Sequence, residues 1–313
     1  MKLSIVSTMY RSSPYLNEFS RKIRQTAEKI TQDYELIFVN DGSPDDSLNV
    51  ALRLQDENPK IQVIDLSRNF GHHAAIIAGL EEAKGNYVFL IDCDLEEQPE
   101  WLLLFNKEME QSGADVVFGV QQNRVASTTS NFFGEVFWRA LNIMAIVKIP
   151  HNQMTCRLMN RAFVDALLSI GDRVLYLAGV FAWTGFKQQP LPLVKTPRPE
   201  HHRSTYNISR KLLQVIESFA SFSIAPLILV FLIGIFTWFA SILYGGYLLV
   251  YKILNPEKVL SGFTAMMLSI WFLSGITIAA LGIIGLYIAK IFQEVKRRPL
   301  FIVKKIHKGK VDE

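Results

Sequence analysis

The feature that most restricts this chain is the spacing of charge near its C-terminus. No charged side chain occurs between Glu217 and Lys252, and none between Lys258 and Lys290. Each gap exceeds the roughly 20 apolar residues needed to cross a bilayer. "PLILVFLIGIFTWFASILYGGYLLVY" and "GFTAMMLSIWFLSGITIAALGIIGLYIA" therefore read as two transmembrane helices, about 224–251 and 261–289. Buried helices of a soluble core are usually shorter and keep a polar face, which fits neither segment. The loop between them has only Lys252 and Lys258 as positive groups, whereas "KIFQEVKRRPLFIVKKIHKGK" follows the second span and Arg203, Arg210 and Lys211 precede the first. The positive-inside rule then puts both the large N-terminal region and the tail in the cytoplasm. The net charge of +4 reads as a basic membrane collar, suited to anionic headgroups and not to nucleic acid.

Ahead of the apolar segments, strand and helix alternate. "LSIVST", "ELIFVN", "IQVIDL", "YVFLID" and "ADVVFG" are short β-rich runs. The apolar stretch of "MKLSIVSTMY" is too short for a signal-peptide core, so it belongs to the first of these strands. Leu16, Phe19, Ile23, Ala27 and Ile30 follow helical spacing, and "DDSLNVALRLQDEN" and "HHAAIIAGLEEAKG" fill the next two gaps, the latter stopping at Gly85. Such alternation predicts an α/β domain with a mostly parallel sheet and helices on both faces. Ligands bind beyond the carboxyl ends of such strands. There the chain places "TMYRSS", "NDGSPDD", "SRNFGHH" and "DCDLEE". Thr8, Tyr10, Asp41, Ser67, Arg68 and Asp92 from these clusters are the candidate ligand-binding residues.

The acidic cluster is the most specific of the four. Asp92, Asp94 and Glu96 alternate at a strand end, and Glu97 follows. Oxygen donors with open positions suit a hard divalent cation, Mg²⁺ or Mn²⁺, which shares carboxylates with substrate phosphates. Neither G-x-G-x-x-G after the first strand nor G-x-x-x-x-G-K-[ST] is present, which argues against a dinucleotide enzyme and a P-loop ATPase. Cys93 and Cys156 form no disulfide framework, and Cys93, among carboxylates, reads as a buried filler. His72-His73 and His201-His202 lack the i, i+4 spacing of a helical zinc site.

Several stretches together resemble the polyprenyl-phosphate type of family 2 glycosyltransferase. "VNDGSPDDS" is similar to that family's "DDGS" turn, and "LSRNFGHHAAIIAGLEEAKGNYVFLIDCDLEEQPEW" to its segment ending in D-x-D. "CRLMNR", "HHRSTYN" and "IIGLYIAKIFQEVKRRPLFIV" resemble later motifs in order, to about residue 303. The resemblance implies a GT-A-type domain moving a sugar from a nucleotide sugar to a lipid phosphate, with inversion at the anomeric carbon. It also implies that a nucleotide is the ligand of the strand-end residues Thr8, Tyr10, Asp41, Ser67, Arg68 and Asp92. It assigns metal binding to Asp94 and Glu96 with Asp92, a nucleotide contact to Asp41, and catalytic roles to Asp92, Asp94 and Arg157. Arg124, Arg157, Arg161 and Arg203 are the candidates for the lipid phosphate, since guanidinium forks suit its oxygens. It also suggests a homo-oligomer through the apolar segments.

The chain departs from the family pattern at several points. Asn40 stands for the first Asp of "DDGS", Glu96 for a Gln, and Arg11 and Ser12 for an Asn-Glu pair after Tyr10. Thr155 stands where many relatives carry an acidic residue. A phosphate monoester acceptor is already anionic near neutral pH, so it needs positioning more than deprotonation. The expected layout is a catalytic domain over 1–206, an interfacial helix over 207–222, two spans within 223–290 and a basic tail over 291–313. In the interfacial helix Ile208, Leu212, Val215, Ile216 and Phe219 share one face. A processive polysaccharide synthase would show Q-x-x-R-W, which is absent. A non-catalytic nucleotide-binding membrane subunit is the other alternative, and the acidic triad argues against it.

Overall fold

The structure, a computed structural model, describes residues 2–122, 152–172, 177–195, 225–254 and 262–309. Arg124, Arg203 and the expected interfacial helix lie outside these residues. The described chain divides into two compact units. One holds the sheet, its helices and the residues from Arg297 onward, and the other holds two long apolar helices.

The sheet unit begins with β1 (Leu3–Met9), α1 (Leu16–Ala27), β2 (Tyr34–Asn40), α2 (Ser47–Glu57), β3 (Ile61–Leu66), α3 (His72–Glu82) and β4 (Tyr87–Leu90). It continues with α4 (Trp101–Ser112), β5 (Val116–Gln121), β6 (Gln153–Asn160), α5 (Arg161–Ile170), α6 (Leu177–Trp183), β7 (Gln188–Leu193) and, after the apolar helices, β8 (Val303–Lys308). The strands form one sheet in the order β7-β5-β6-β4-β1-β2-β3-β8. β4, β1, β2 and β3 are mutually parallel, as the alternation predicts. β6 is antiparallel to both β4 and β5, and β8 is antiparallel to β3.

The core follows from the apolar periods. In α1 the stripe Leu16, Phe19, Ile23 and Ala27 is fully buried, with Phe19 and Phe38 of β2 6.0 Å apart. Each large apolar side chain removed from water in this way contributes about 1.5–3 kcal/mol. α3 lies against Val6 and Val39, so closely that a Cβ on Gly79 would come within 2.3 Å of Val6 Cγ1. α4 ends at Gly113 in the left-handed region, and α5 starts where the Asn160 side chain accepts from the Phe163 N–H.

Three strands escape the sequence pattern. β6, "QMTCRLMN", overlaps "CRLMNR", which the sequence presents only as a motif. β7, "QQPLPL", contains two prolines, which a sheet tolerates at its edge, and β7 is an edge strand. β8, "VKKIHK", lies within the expected basic tail. Its lysines are those of an edge strand that discourages further pairing. Part of 291–313 is therefore sheet and not free tail.

Gly85 also serves a different purpose from the expected helix stop. α3 ends at Glu82 with Ala83 as its extended C-cap. Gly85 instead passes close to β1. Its N–H donates to Ser4 Oγ (2.7 Å), and a Cβ there would lie 2.5 Å from Ser4 N and 2.8 Å from Tyr87 O.

The second unit contains α7 (Ala225–Leu254) and α8 (Phe263–Val295). Among the described residues one stretch of 24, Phe272–Val295, is long and apolar enough to cross a membrane by length and composition, with mean hydropathy 2.1 over its most apolar 18 residues. Large apolar side chains face outward on both helices, including Phe236 and Ile253 on α7 and Phe272 and Ile278 on α8.

Gly85→Ala is expected to lower unfolding free energy by about 1–3 kcal/mol through overpacking against β1. Gly85 precedes β4, whereas Asp92 follows it, so nucleotide affinity should stay unchanged. Denaturation and nucleotide titration of the same variant check both halves of this expectation.

Candidate active site

The sheet order puts a topological switch beside β1. The chain runs from β1 to β2 and β3 on one side, while β4 lies on the other. A crevice opens at the carboxyl ends of strands at such a point. Tyr10, just past β1, and Asp92, just past β4, flank it. Ile91 N donates to Val6 O (3.1 Å), and Cys93 Sγ to Thr8 O (3.1 Å), tying the two strand ends together. Burial pushes the Cys93 thiol up to about 12, which suits the expected filler.

On the β1–β3 side, the nucleotide candidates divide between rim and frame. Tyr10 is 46% exposed, with the Arg11 guanidinium 5.7 Å from its ring centre. Arg68 is exposed, stacked 4.1 Å over Phe70, and donates to Asn69 O. Ser67 is exposed and its N–H donates to Ile302 O, just ahead of β8. Asp41 is buried, and its two oxygens accept from Phe70 N (2.7 Å) and Gly71 N (3.0 Å). Its carboxylate shapes the turn into α3 rather than projecting into the crevice.

The Asn40 departure has a physical reason here. Asn40 Nδ2 donates to Asp65 Oδ1 (2.8 Å), and both residues are buried. An Asp at position 40 would set two carboxylates against each other; the amide supplies a donor. The other Asp65 oxygen lies 3.5 Å from Lys304 Nζ of β8.

The acidic turn after β4 is built around two features. Leu95 has φ 63°, a left-handed conformation that is uncommon for a branched side chain. Glu96 N donates to Asp94 Oδ1 (3.1 Å) across it. Glu97 turns inward and is completely buried, where its Oε1 accepts from Thr155 N (3.1 Å). Burial, then the Asp92 charge, push the Glu97 carboxyl up to about 7. Lys195, two residues past β7, brings its ammonium to 3.5 Å from Glu97 Oε1 and 3.7 Å from Glu96 Oε2. Burial would lower the Lys195 pKa, but Glu97, Asp92, Glu96 and Asp94 outweigh it and raise it.

On the other side of Asp92 stands His72, the first residue of α3. Its Nε2 is 3.6 Å from Asp92 Oδ1, and its Nδ1 is 3.1 Å from Thr8 Oγ1. His72, Thr155, Arg157 and Phe181 help line an adjoining pocket of about 140 Å³. Arg157 is 3% exposed, lies 3.5 Å over the Phe181 ring, and donates to Met154 O and Thr155 O. Burial lowers its pKa to about 10, which still leaves it charged at neutral pH.

The register separates the expected phosphate-binding arginines. Arg157 pairs with Leu90, at the crevice end of β4. Arg161 N instead donates to Asn86 O, ahead of β4, and its guanidinium donates to Ala83 O, Gly85 O and Asp165. Four residues of extended chain span about 13 Å. Arg161 therefore belongs to the opposite end of the strand and not to the Arg157 site.

Asp92, Asp94 and Glu96 offer hard oxygen donors within one short turn that also holds Glu97. Among the described residues, however, no three Asp, Glu, His or Cys side chains converge on one point. The expected three-carboxylate site of Asp92, Asp94 and Glu96 is therefore not brought together on one point among them. The donor set fits a hard cation as an open site, completed by ligand oxygens.

The profile of glycosyl transferase family 2 matches residues 4–168, from β1 into α5. The chain belongs to this family. The glycosyltransferase is 41% identical to a Mycobacterium tuberculosis protein named among glycosyltransferases, over 98% of its own length and 89% of the relative. It is 31% identical to a Shigella flexneri protein named as a prophage-derived bactoprenol glucosyl transferase, with 99% of each chain covered. Among solved structures it is similar to a Pyrobaculum calidifontis mannosyltransferase held with GDP-Man and Mn²⁺, at TM-score 0.50 and 14% identity, covering 94% of this chain and 87% of that one. That likeness shows the GT-A-like fold.

Glu97 and Lys195 are the site residues to which the sequence assigns no role, whereas His72 begins a helix beside the site as the sequence suggests. Glu97 had a signal, as the fourth carboxylate of "DCDLEE". Lys195 had none, because nothing in the sequence shows that a proline-containing strand delivers it to the acidic turn.

Asp41→Asn leaves one acceptor oxygen for two part-buried N–H donors. Stability should fall by about 1–3 kcal/mol, the cost of an unsatisfied buried group. Chemical denaturation measures this loss, and faster proteolysis near residues 67–71 would locate it.

Proposed function

We propose that this chain transfers a sugar from a nucleotide sugar to a polyprenyl phosphate at a membrane surface, with inversion at the anomeric carbon. The observation that carries the reading is the acidic turn Asp92–Glu97 at the switch point, facing an exposed Tyr10–Arg11–Arg68 rim. The name of the Shigella relative, matched over its whole length, supports a lipid phosphate as acceptor.

In this reading the Tyr10 and Arg68 rim takes the nucleotide, and Thr8, Ser67 and the Asp41-held turn frame it. Asp92 and Asp94 hold the divalent cation, with Glu96 able to join them. When bound, the cation neutralises the diphosphate and the charge that develops as it leaves. An oxygen of the lipid phosphate forms the new bond to the anomeric carbon as the bond to the nucleoside diphosphate breaks. That oxygen is already anionic, so no protein base need take a proton. Arg157 keeps a positive charge at the pocket beside His72 and Thr155 and favours the incoming phosphate.

Support for two membrane spans comes from chain connectivity. The chain leaves the sheet unit before α7 and rejoins it at Arg297, and β8 pairs within the same sheet as β1. A chain that returns to the side it left crosses an even number of times. If α8 spans the membrane, α7 must span it too. The layout we propose is a catalytic unit, an interfacial helix, a two-helix anchor and a tail that returns to the sheet.

Purified full-length protein, given a panel of nucleotide sugars, Mn²⁺ and undecaprenyl phosphate, should yield a lipid heavier by one sugar in mass spectrometry. Asp94→Asn should lower the rate at least roughly a hundred-fold, since lost cation stabilisation is worth several kcal/mol. Lack of lipid product from every donor, or full activity of Asp94→Asn, contradicts the reading.

Topology is tested separately by cysteine labelling in intact cells. Asn255→Cys should react with an impermeant maleimide from outside, and Lys305→Cys only after permeabilisation. The reverse pattern would put the catalytic unit away from its nucleotide donor.

A further inference from the structure

Lys195 lies among the carboxylates that the proposed function gives to the cation, and the inference here rests on that reading. Its ammonium has two carboxylate partners of unlike character. Glu97 is completely buried and fixed by Thr155 N, so that contact is anchored. The Glu96 side chain is 26% exposed, so that partner has room to turn away. The Lys195 side chain is also 26% exposed, which limits how far water and salt screen its charge.

We propose that Lys195 is a resident counter-ion that shares Glu96 with the divalent cation, so that metal enters with the nucleotide diphosphate and not ahead of it. A cation arriving alone must draw Glu96 away from Lys195 and settle near a fixed positive charge. Two such charges a few ångströms apart repel appreciably even at an effective dielectric of about 20. A diphosphate arriving with the cation brings negative charge that offsets this repulsion. Lys195 also holds the acidic turn together in its absence, since four carboxylates in six residues would otherwise repel. It is a positioning residue, acting through Glu96 on where and when the cation binds.

The test reads metal binding directly. Full-length protein in detergent is titrated with Mn²⁺ alone, with no nucleotide, and free Mn²⁺ is followed by electron paramagnetic resonance. Lys195→Met keeps the aliphatic stem and removes the charge, so the Mn²⁺ Kd should fall about ten-fold. Lys195→Arg should bind as the wild type does. The gain from Lys195→Met should shrink in a Glu96→Gln background, because the two side chains act through one contact. Should Lys195→Met fold poorly, with Glu97 left buried and unpaired, Lys195→Met/Glu97→Gln is compared with Glu97→Gln, and the same tightening is expected. Unchanged or weaker Mn²⁺ binding on loss of the charge overturns the inference, as does an equal gain with and without Glu96. If the wild type binds Mn²⁺ and loses it in Asp94→Asn, such a result removes the Lys195 role alone. If no variant binds Mn²⁺ and lipid product still forms in EDTA, the metal reading falls with it.

Discussion

Mutual repulsion among Asp92, Asp94, Glu96 and Glu97 is the constraint around which this site is organised. Carboxylates this close are tolerated only where burial, partners and counter-charge divide the load. Glu97 goes inward, where the Thr155 amide fixes it and its proton affinity rises. Leu95 takes a left-handed conformation, and the Glu96 amide closes onto Asp94 across it. Lys195 comes from the far side of the sheet to supply the positive charge. Residues at such a site often hold strained backbone that the surrounding packing keeps in place.

A second buried carboxylate is handled by a different route. Asp65 lies next to the end of its strand and is satisfied by the Asn40 amide on one side and the Lys304 ammonium on the other. This explains a residue that looks anomalous against the family pattern. With Asp65 already present, a second acid at position 40 would be destabilising, because a buried charge needs a donor and not another acceptor. Asn40 and Lys304 therefore act together, although 264 positions separate them in the chain.

What was legible in the sequence was the part governed by local periods. β1 to β4 and the helices between them follow from short apolar runs and 3.6-residue stripes, and the polar clusters sit at the strand ends where that alternation puts them. β6, β7 and β8 were not legible. β6 lies beyond residues 123–151, β7 is broken up by prolines, and β8 carries lysines that suit a membrane collar equally well. Arg161 illustrates the cost of reading spacing without register. Four residues from Arg157 within a motif looked close, yet on an extended strand they separate a crevice residue from the other end of the sheet. Gly85 illustrates another limit: its value lies in the approach of β1, which no local pattern announces.

The return of β8 to the sheet has a consequence for how the molecule is made. Ribosomes release the chain from the N-terminus, so β1 to β7 are complete before either apolar helix exists. Until α7 and α8 have been synthesised and stowed, the outer edge of β3 has no partner, and Asp65 lacks Lys304. An open edge of this kind invites pairing with another chain. The sheet thus reaches its final width only after α7 and α8 have been made, and a chain that stops short of β8 carries an open edge at β3.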